Sequence, residues 1–379
     1  MNSIASGRLR STQCRDRDVQ THRLLGDPCR SHIAPVRRCR NDVYVTTGDG
    51  VHLAVRDYDP PTRTHTVVFL HGLCLSRTSW ERQIDYLLRR YGESIRIIAY
   101  DHRGHGGHGG SSAAPMSTYR IDRLAADLDE VLTALNVTAP LTLVGHSMGA
   151  MVALAYLSRR ACERAVDPHG LVLVATAAGK LGQRGLGRLL GTPATPLLFK
   201  VIGCVPDPAL KMLAAPVCAT LSRWCCCGPA QRATLATTAA EALATTPVST
   251  AVGFLPTLRD YDVYRTLGSV RAQTVVVSGG ADPLTPPVHA RELADAIPGA
   301  AHRHVRGAGH MLQQEAPHVI NHAIRQAMAI HPNHSRWCGC AGRGMIEGAT
   351  ESRMMVSAKQ IAARGNATCP THHLGLGMA

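Results

Sequence analysis

Phe and Trp are nearly missing from this sequence: three of each occur in 379 residues, beside nine Tyr. A hydrophobic interior must come from Leu, Val, Ile and Ala. The formal net charge is +14, but the basic ends lack the aromatic interleaving of a platform that stacks exposed bases. That charge is concentrated at the ends: residues 1–42 hold nine Arg against four Asp, and residues 335–379 hold five Lys or Arg against two Glu. Both ends read as disordered, solvated tails, and no nucleic-acid partner is expected. No apolar run reaches the roughly 18 residues needed to cross a bilayer, so no membrane span is expected. The start, MNSIASGRLRSTQCRDRD, lacks the apolar segment of a secretory signal, and Arg37-Arg38 lacks a twin-arginine context. Thirteen Cys are present, an odd number that includes the run Cys225–Cys227. They make no disulfide framework and read as reduced thiols, which points to the cytoplasm.

What is present is an alternation of short apolar runs with helical patterns. The segment DVYVTTGDGVHLAVRDYD reads as a hairpin turning at Gly48-Asp49-Gly50. THTVVFLHG and IRIIAYDHRGHG each read as a buried strand running into a turn. Residues 119–135 carry Ile121, Leu124, Leu128, Val131, Leu132 and Leu135 at helical spacing. APLTLVGHS, HGLVLVATAA, QTVVVSGGADP and AHRHVRGAGH read as strands. Residues 149–160, PPVHARELADAI and APHVINHAIRQAMAI read as helices. This predicts an α/β fold: a mostly parallel sheet with helices on both faces. The rhythm fails from about 178 to 265, where Ala/Leu-rich helical segments interrupt it, as an inserted helical cap would. Three regions are therefore expected: a basic tail over 1–42, a folded domain over 43–330, and a tail over 331–379.

Within LTLVGHSMGAMVAL a strand stops and a helix begins around Gly145-His146-Ser147-Met148-Gly149. The pattern Gly-x-Ser-x-Gly suits a sharp strand-to-helix turn that projects a serine hydroxyl above the sheet. Residues two before and two after the serine come too close for side chains. The following helix aims its N-terminal amides at the reacting group. A nucleophilic serine needs a base, and the base an orienting acid. Asp282 follows one strand and His310 the next. Loops after the carboxyl ends of parallel strands gather on one rim, which would bring Ser147, Asp282 and His310 together. Asp282 also suits a helix cap before PLTPPVHARELADAI. Twenty histidines are present, so identity alone singles out none; the setting of His310 after Gly-Ala-Gly does.

The order Ser, Asp, His over residues 43–330 resembles the α/β-hydrolase family, a serine esterase or lipase-like member with a helical cap. The turn in VVFLHGLCLSRTSW resembles that family's His-Gly turn, which includes Gly72. The resemblance implies that the backbone N–H groups of Leu73 and Met148 form an oxyanion hole. It also implies that Asp101 and Arg103 of YDHRGHG are structural. A serine nucleophile argues against members that open epoxides or remove halides, for which the resemblance implies Asp.

Other motifs read less sharply. GHGGHG over 104–109 fits Gly-x-Gly-x-x-Gly, but no helical pattern opens at its third glycine, so it reads as a loop and no cofactor is expected. His331, His334, Cys338 and Cys340 match no standard zinc spacing, and no metal is expected. Cys225–Cys227 read as small apolar filling. His71 and His146 read as packing or hydrogen-bonding residues. The apolar cap suggests a small lipophilic ester as substrate, with transient membrane-surface contact aided by Arg188, Lys200 and Lys211. Packing of those cap residues onto the core is the competing reading. Ester hydrolysis is the expected activity, with thioesters and lactones close to it. Two alternatives stand beside it: a cofactor-free haloperoxidase-like perhydrolase, and a non-catalytic ligand-binding protein.

Overall fold

The alternating pattern produces one eight-stranded sheet. A computed structural model of the chain describes residues 40–107, 109–191 and 244–329, with Met212 and Ala240 besides. Along the chain these form β1 (Arg40–Thr46), β2 (His52–Tyr58), β3 (His65–Leu70), α1 (Glu81–Tyr91), β4 (Ile95–Tyr100) and α2 (Ile121–Ala134). There follow β5 (Leu141–His146), α3 (Met148–Ser158), β6 (Gly170–Val174), α4 (Val248–Gly253), α5 (Leu255–Asp260) and α6 (Tyr264–Leu267). The chain continues with β7 (Gln273–Gly279), α7 (Pro287–Ala296), β8 (Ala301–Val305), α8 (Leu312–Glu315) and α9 (Pro317–Met328). Strand order is β1-β2-β4-β3-β5-β6-β7-β8. β1 pairs antiparallel with β2 and β2 with β4; every later pairing is parallel. The hairpin turns at the predicted Gly48–Gly50, with Gly50 at φ 83°.

Period-two alternation separates the two faces of the sheet. Val68 and Leu70 of β3 point to the same side as Leu143, Leu173 and Val276, under Leu124 and Leu128 of α2, Val152 of α3 and Leu293 of α7. Val67 and Phe69 point to the other side with Ile97, Val144, Val172 and Val275, under Ile84, Leu87 and Leu88 of α1 and Ile320 and Ile324 of α9. The central strands are buried on both faces, as parallel strands covered by helices must be. Helix α1 is absent from the sequence reading, although Ile84, Leu87, Leu88 and Tyr91 follow helical spacing with charged residues on the opposite face.

The interruption of the rhythm leaves and returns at one place. Gly179 forms an antiparallel bridge with Asp262, and Val263 N–H donates to the Ala178 carbonyl at 2.8 Å. Most of the expected cap, with Lys200, Lys211 and Cys225–Cys227, lies outside the described residues, as do residues 1–39, the expected tail over 331–379 and the group from His331 to Cys340. The expected basic tail over 1–42 is corrected at its end, because Arg40, Asn41 and Asp42 pair with β2 as the start of β1. Arg188, at the near end, is exposed and donates to the Gln183 carbonyl. No helix among the described residues is long and apolar enough to cross a membrane.

The loop after β4 is held by charge. Arg103 is fully buried and forms a fork on Asp127 of α2, at 2.8 and 2.6 Å, while also reaching Asp49 in the hairpin turn at 2.9 Å. Asp101 receives the Arg77 backbone N–H at 2.6 Å and pairs with its guanidinium. The glycine run opens no helix. Gly106 and Gly107 adopt positive φ, and a Cβ on Gly106 would stand 2.1 Å from the Asp101 carboxylate. Removing one partner of a buried ion pair strands the other charge. Asp127→Ala is accordingly expected to lower the unfolding free energy by about 3 kcal/mol in urea denaturation. An unchanged midpoint and slope would show that the pair contributes nothing.

Candidate active site

β5 ends at His146 and α3 begins at Met148, so Ser147 alone makes the corner. Its backbone takes φ 51° and ψ −117°, outside the wells open to ordinary L-residues. The neighbouring strand holds it there. Ser147 N–H donates to the Val174 carbonyl at 2.8 Å, and the Ser147 carbonyl accepts from the Thr176 hydroxyl at 2.9 Å and from Ala150 N–H at 3.0 Å. The three glycines singled out in the sequence are places of close approach. A Cβ on Gly145 would lie 2.5 Å from the Ala150 backbone and 2.7 Å from that of Gly149. On Gly149 it would lie 2.3 Å from the Leu70 carbonyl oxygen, so the end of β3 demands glycine there. On Gly72 it would lie 2.8 Å from the His146 ring and 3.3 Å from the Ser147 Cβ. The residue after Gly72 is Leu73, so its amide sits beside the serine turn. Met148 stands at the first helical position, where an amide has no intrahelical acceptor. Among the described residues neither amide donates to a backbone carbonyl.

Asp282 and His310 meet at the ends of β7 and β8. His310 Nδ1–H donates to Asp282 Oδ2 at 2.7 Å, which leaves Nε2 with its lone pair. Both side chains are buried. The carboxylate carries more donors than this one. Leu284 N–H and Thr285 N–H bind Oδ1 at 2.8 and 3.0 Å, and the Thr285 hydroxyl binds Oδ2 at 2.7 Å. Burial pushes the Asp282 carboxyl up, yet the His310 charge and these hydrogen bonds outweigh it and hold the group below its ordinary value. Asp282 therefore caps the turn over 283–285 rather than α7, whose N-cap is Pro286 and has no side-chain cap. The His310 loop is fixed on both sides by Glu315, whose carboxylate accepts Gly309 N–H at 2.7 Å and Met311 N–H at 3.0 Å.

His146 joins the two halves. Its Nε2–H donates to the His310 carbonyl at 2.9 Å, and the two rings stand 4.9 Å apart. The residue before the serine is thus fastened to the histidine of the Asp282 pair. His71 is fully buried and bonds the Gly72 carbonyl at 2.8 Å. Both histidines are the hydrogen-bonding neighbours the sequence suggests. Thr285, Glu315, His102 and His105 were not singled out in advance. For Thr285 a signal exists: an Asp followed three residues later by Thr, just before prolines, is turn chemistry. Among the described residues no group of three His, Cys, Asp or Glu side chains is arranged to hold a metal ion.

Comparison with known proteins agrees with this architecture. Residues 65–317 match the family model of the alpha/beta hydrolase fold, and the chain belongs to that family. It is similar to 3-oxoadipate enol-lactonase 2 of Acinetobacter baylyi, 27% identical across 69% of this chain and 88% of the relative. It is also similar to the bifunctional esterase/perhydrolase DCH of Acinetobacter calcoaceticus, 35% identical across 31% of this chain and 39% of the relative. Among solved structures, Est816, an N-acyl homoserine lactone degrading enzyme, superposes with a TM-score of 0.57 and 26% identity, over 74% of this chain and 98% of that one. The chain spans only 11% to 39% of the length of several curated relatives it matches, a polyketide synthase and chloroperoxidases among them.

Buried imidazoles surround the site. Burial is the first cause that lowers His71 well below the ordinary histidine value, His102 to about 3, His105 to about 4 and His146 to about 3. Unfolded, each binds its proton near pH ~6.5. Between that value and the folded ones the unfolded chain holds more protons, so stability is intact above it and falls with pH by roughly 1.4 kcal/mol per unit for each imidazole. The melting temperature should drop steeply from pH 6.5 to 4.5 in calorimetric scans. A flat profile there would mean that these histidines are not buried neutral.

Proposed function

We propose that the chain is a serine hydrolase that cleaves carboxylic esters through an acyl-enzyme. The observation that carries this reading is the buried Asp282–His310 pair, tied through His146 to a serine held in a strained strand-to-helix corner. In this scheme Ser147 Oγ attacks the ester carbonyl carbon while its proton passes to His310 Nε2. The carbonyl electron pair moves onto the oxygen, which the Leu73 and Met148 amides stabilise. Collapse of that adduct expels the alcohol, which takes its proton from His310. A water then repeats the sequence and releases the acid. Asp282 holds the imidazole in the tautomer that leaves Nε2 basic and stabilises the imidazolium that forms. The preferred substrate is a small lipophilic ester, a choice that rests on the apolar composition of the inserted segment.

The second reading keeps the same residues. Water is replaced by hydrogen peroxide, and the acyl-enzyme yields a peracid instead of an acid. Similarity to an esterase/perhydrolase supports keeping it. Similarity to two lactone-acting proteins supports lactones as a neighbouring substrate class.

The test is a p-nitrophenyl ester series from acetyl to palmitoyl, run with and without peroxide and acetate. Wild-type protein is expected to hydrolyse the series with a clear chain-length optimum, and Ser147→Ala to lose about 10⁴-fold or more in kcat. Asp282→Asn should lose about 10⁴-fold. Turnover that survives in Ser147→Ala would remove the serine as nucleophile. Peroxide-dependent oxidation exceeding hydrolysis would favour the second reading.

A further inference from the structure

Leu73 lies in a turn that does not suit its sequence. The turn Gly72–Leu75 is closed by Leu75 N–H to the Gly72 carbonyl at 3.1 Å, with Cys74 at φ 60°. A positive φ at the third position of a turn is ordinarily glycine's place. A cysteine stays there only if its surroundings hold it. Two imidazoles do so, one on each side of Leu73. The Gly72 carbonyl, in the same peptide unit as the Leu73 N–H, is held by His71 Nδ1–H at 2.8 Å. His102 N–H donates to His71 Nε2 at 2.9 Å, which leaves Nδ1 as the protonated nitrogen. On the far side Cys74 N–H donates to His105 Nε2 at 3.2 Å, and His105 Nδ1–H donates to the Arg103 carbonyl at 3.0 Å. An amide can only donate and a carbonyl only accept, so these contacts fix the tautomer of His105.

We infer that His105 is a positioning residue for the oxyanion site: by gripping Cys74 N–H it keeps the Leu73 N–H aimed at the oxygen that becomes charged in the reaction. The inference rests on the serine-hydrolase reading. His105 sits one layer behind the reacting atoms. It is fully buried, its ring lies 5.1 Å from His71 and 5.9 Å from Phe254, and its own N–H donates to the His102 carbonyl. Its support is thus rigid, and its action on the substrate is indirect. A trans peptide is planar, so holding the peptides before and after Leu73 leaves its amide one direction. An imidazole suits this task because, uncharged, it donates at one nitrogen and accepts at the other.

A trifluoromethyl ketone provides a direct readout, because it forms a hemiketal with a reactive serine whose hydroxyl pKa, followed by fluorine NMR, reports oxyanion stabilisation. His105→Phe keeps the ring and removes the acceptor, whereas the Oε1 of His105→Gln can still receive Cys74 N–H. The Phe variant is expected to raise the hemiketal pKa by about one unit and to lower kcat roughly 10- to 100-fold, with KM within about twofold. The Gln variant should recover most of both. If the Phe variant does not fold, His105→Asn, with an amide too short to reach Cys74, takes its place with the same expected shift. A folded Phe or Asn variant with the wild-type hemiketal pKa overturns the inference, whatever its melting temperature. A wild-type protein that forms no hemiketal overturns the serine-hydrolase reading, and this inference with it.

Discussion

One residue's backbone governs the arrangement of this sheet rim. Ser147 holds a conformation that costs on the order of 1–3 kcal/mol and that no local propensity would select. It persists because β6 pairs with the corner from one side and the end of β3 closes on Gly149 from the other. Those contacts require β3, β5 and β6 to lie side by side with their carboxyl ends level, which is the parallel register observed. The same levelling carries on to β7 and β8, whose following loops hold Asp282 and His310. The strained corner and the meeting of the acid–histidine pair are two consequences of one alignment.

Around that rim the charges are sorted by environment. The Asp282 carboxylate stays ionised at depth because four donors converge on its two oxygens. The imidazoles of His71, His102 and His105 stay neutral because nothing buried with them favours a proton enough to offset desolvation. Neutrality is what makes them useful to the fold. A protonated ring only donates, and would lose the amides of His102 and Cys74 that His71 and His105 accept. Acid is therefore expected to act on the site and on stability through the same groups.

Much of the fold was readable because its signals are local. Alternating apolar runs marked every strand of the sheet, and Gly145 and Gly149 announced the corner between β5 and α3. The order of Ser147, Asp282 and His310 followed from where strands end. What escaped prediction is what depends on contacts distant in sequence. α1 is an exception, since Ile84, Leu87, Leu88 and Tyr91 stand at the i, i+3, i+4 and i+7 spacing of an amphipathic helix, a local signal that the sequence reading passed over. His102 and His105 looked like part of a glycine-rich loop, because their partners, His71 and Cys74, lie about thirty residues away. Glu315 sits just beyond His310 and binds the amides on both sides of it, a role that requires knowing how the chain turns back.

The relatives are named for esterase, perhydrolase and lactone-cleaving chemistries. All begin with a carbonyl, a nucleophile and a stabilised oxyanion; they differ in what the acyl group meets next. One long segment runs between β6 and β7. The segment leaves after Ala178 and returns at Val263. Its returning limb lays Phe254 against His105 and Tyr119, and Thr250 against Tyr119. That returning limb is thus packed on the loop that carries His105 and its bond to Cys74 N–H. A change at Phe254 therefore bears on the Gly72–Leu75 turn through its contact with His105, whose Nε2 holds Cys74 N–H.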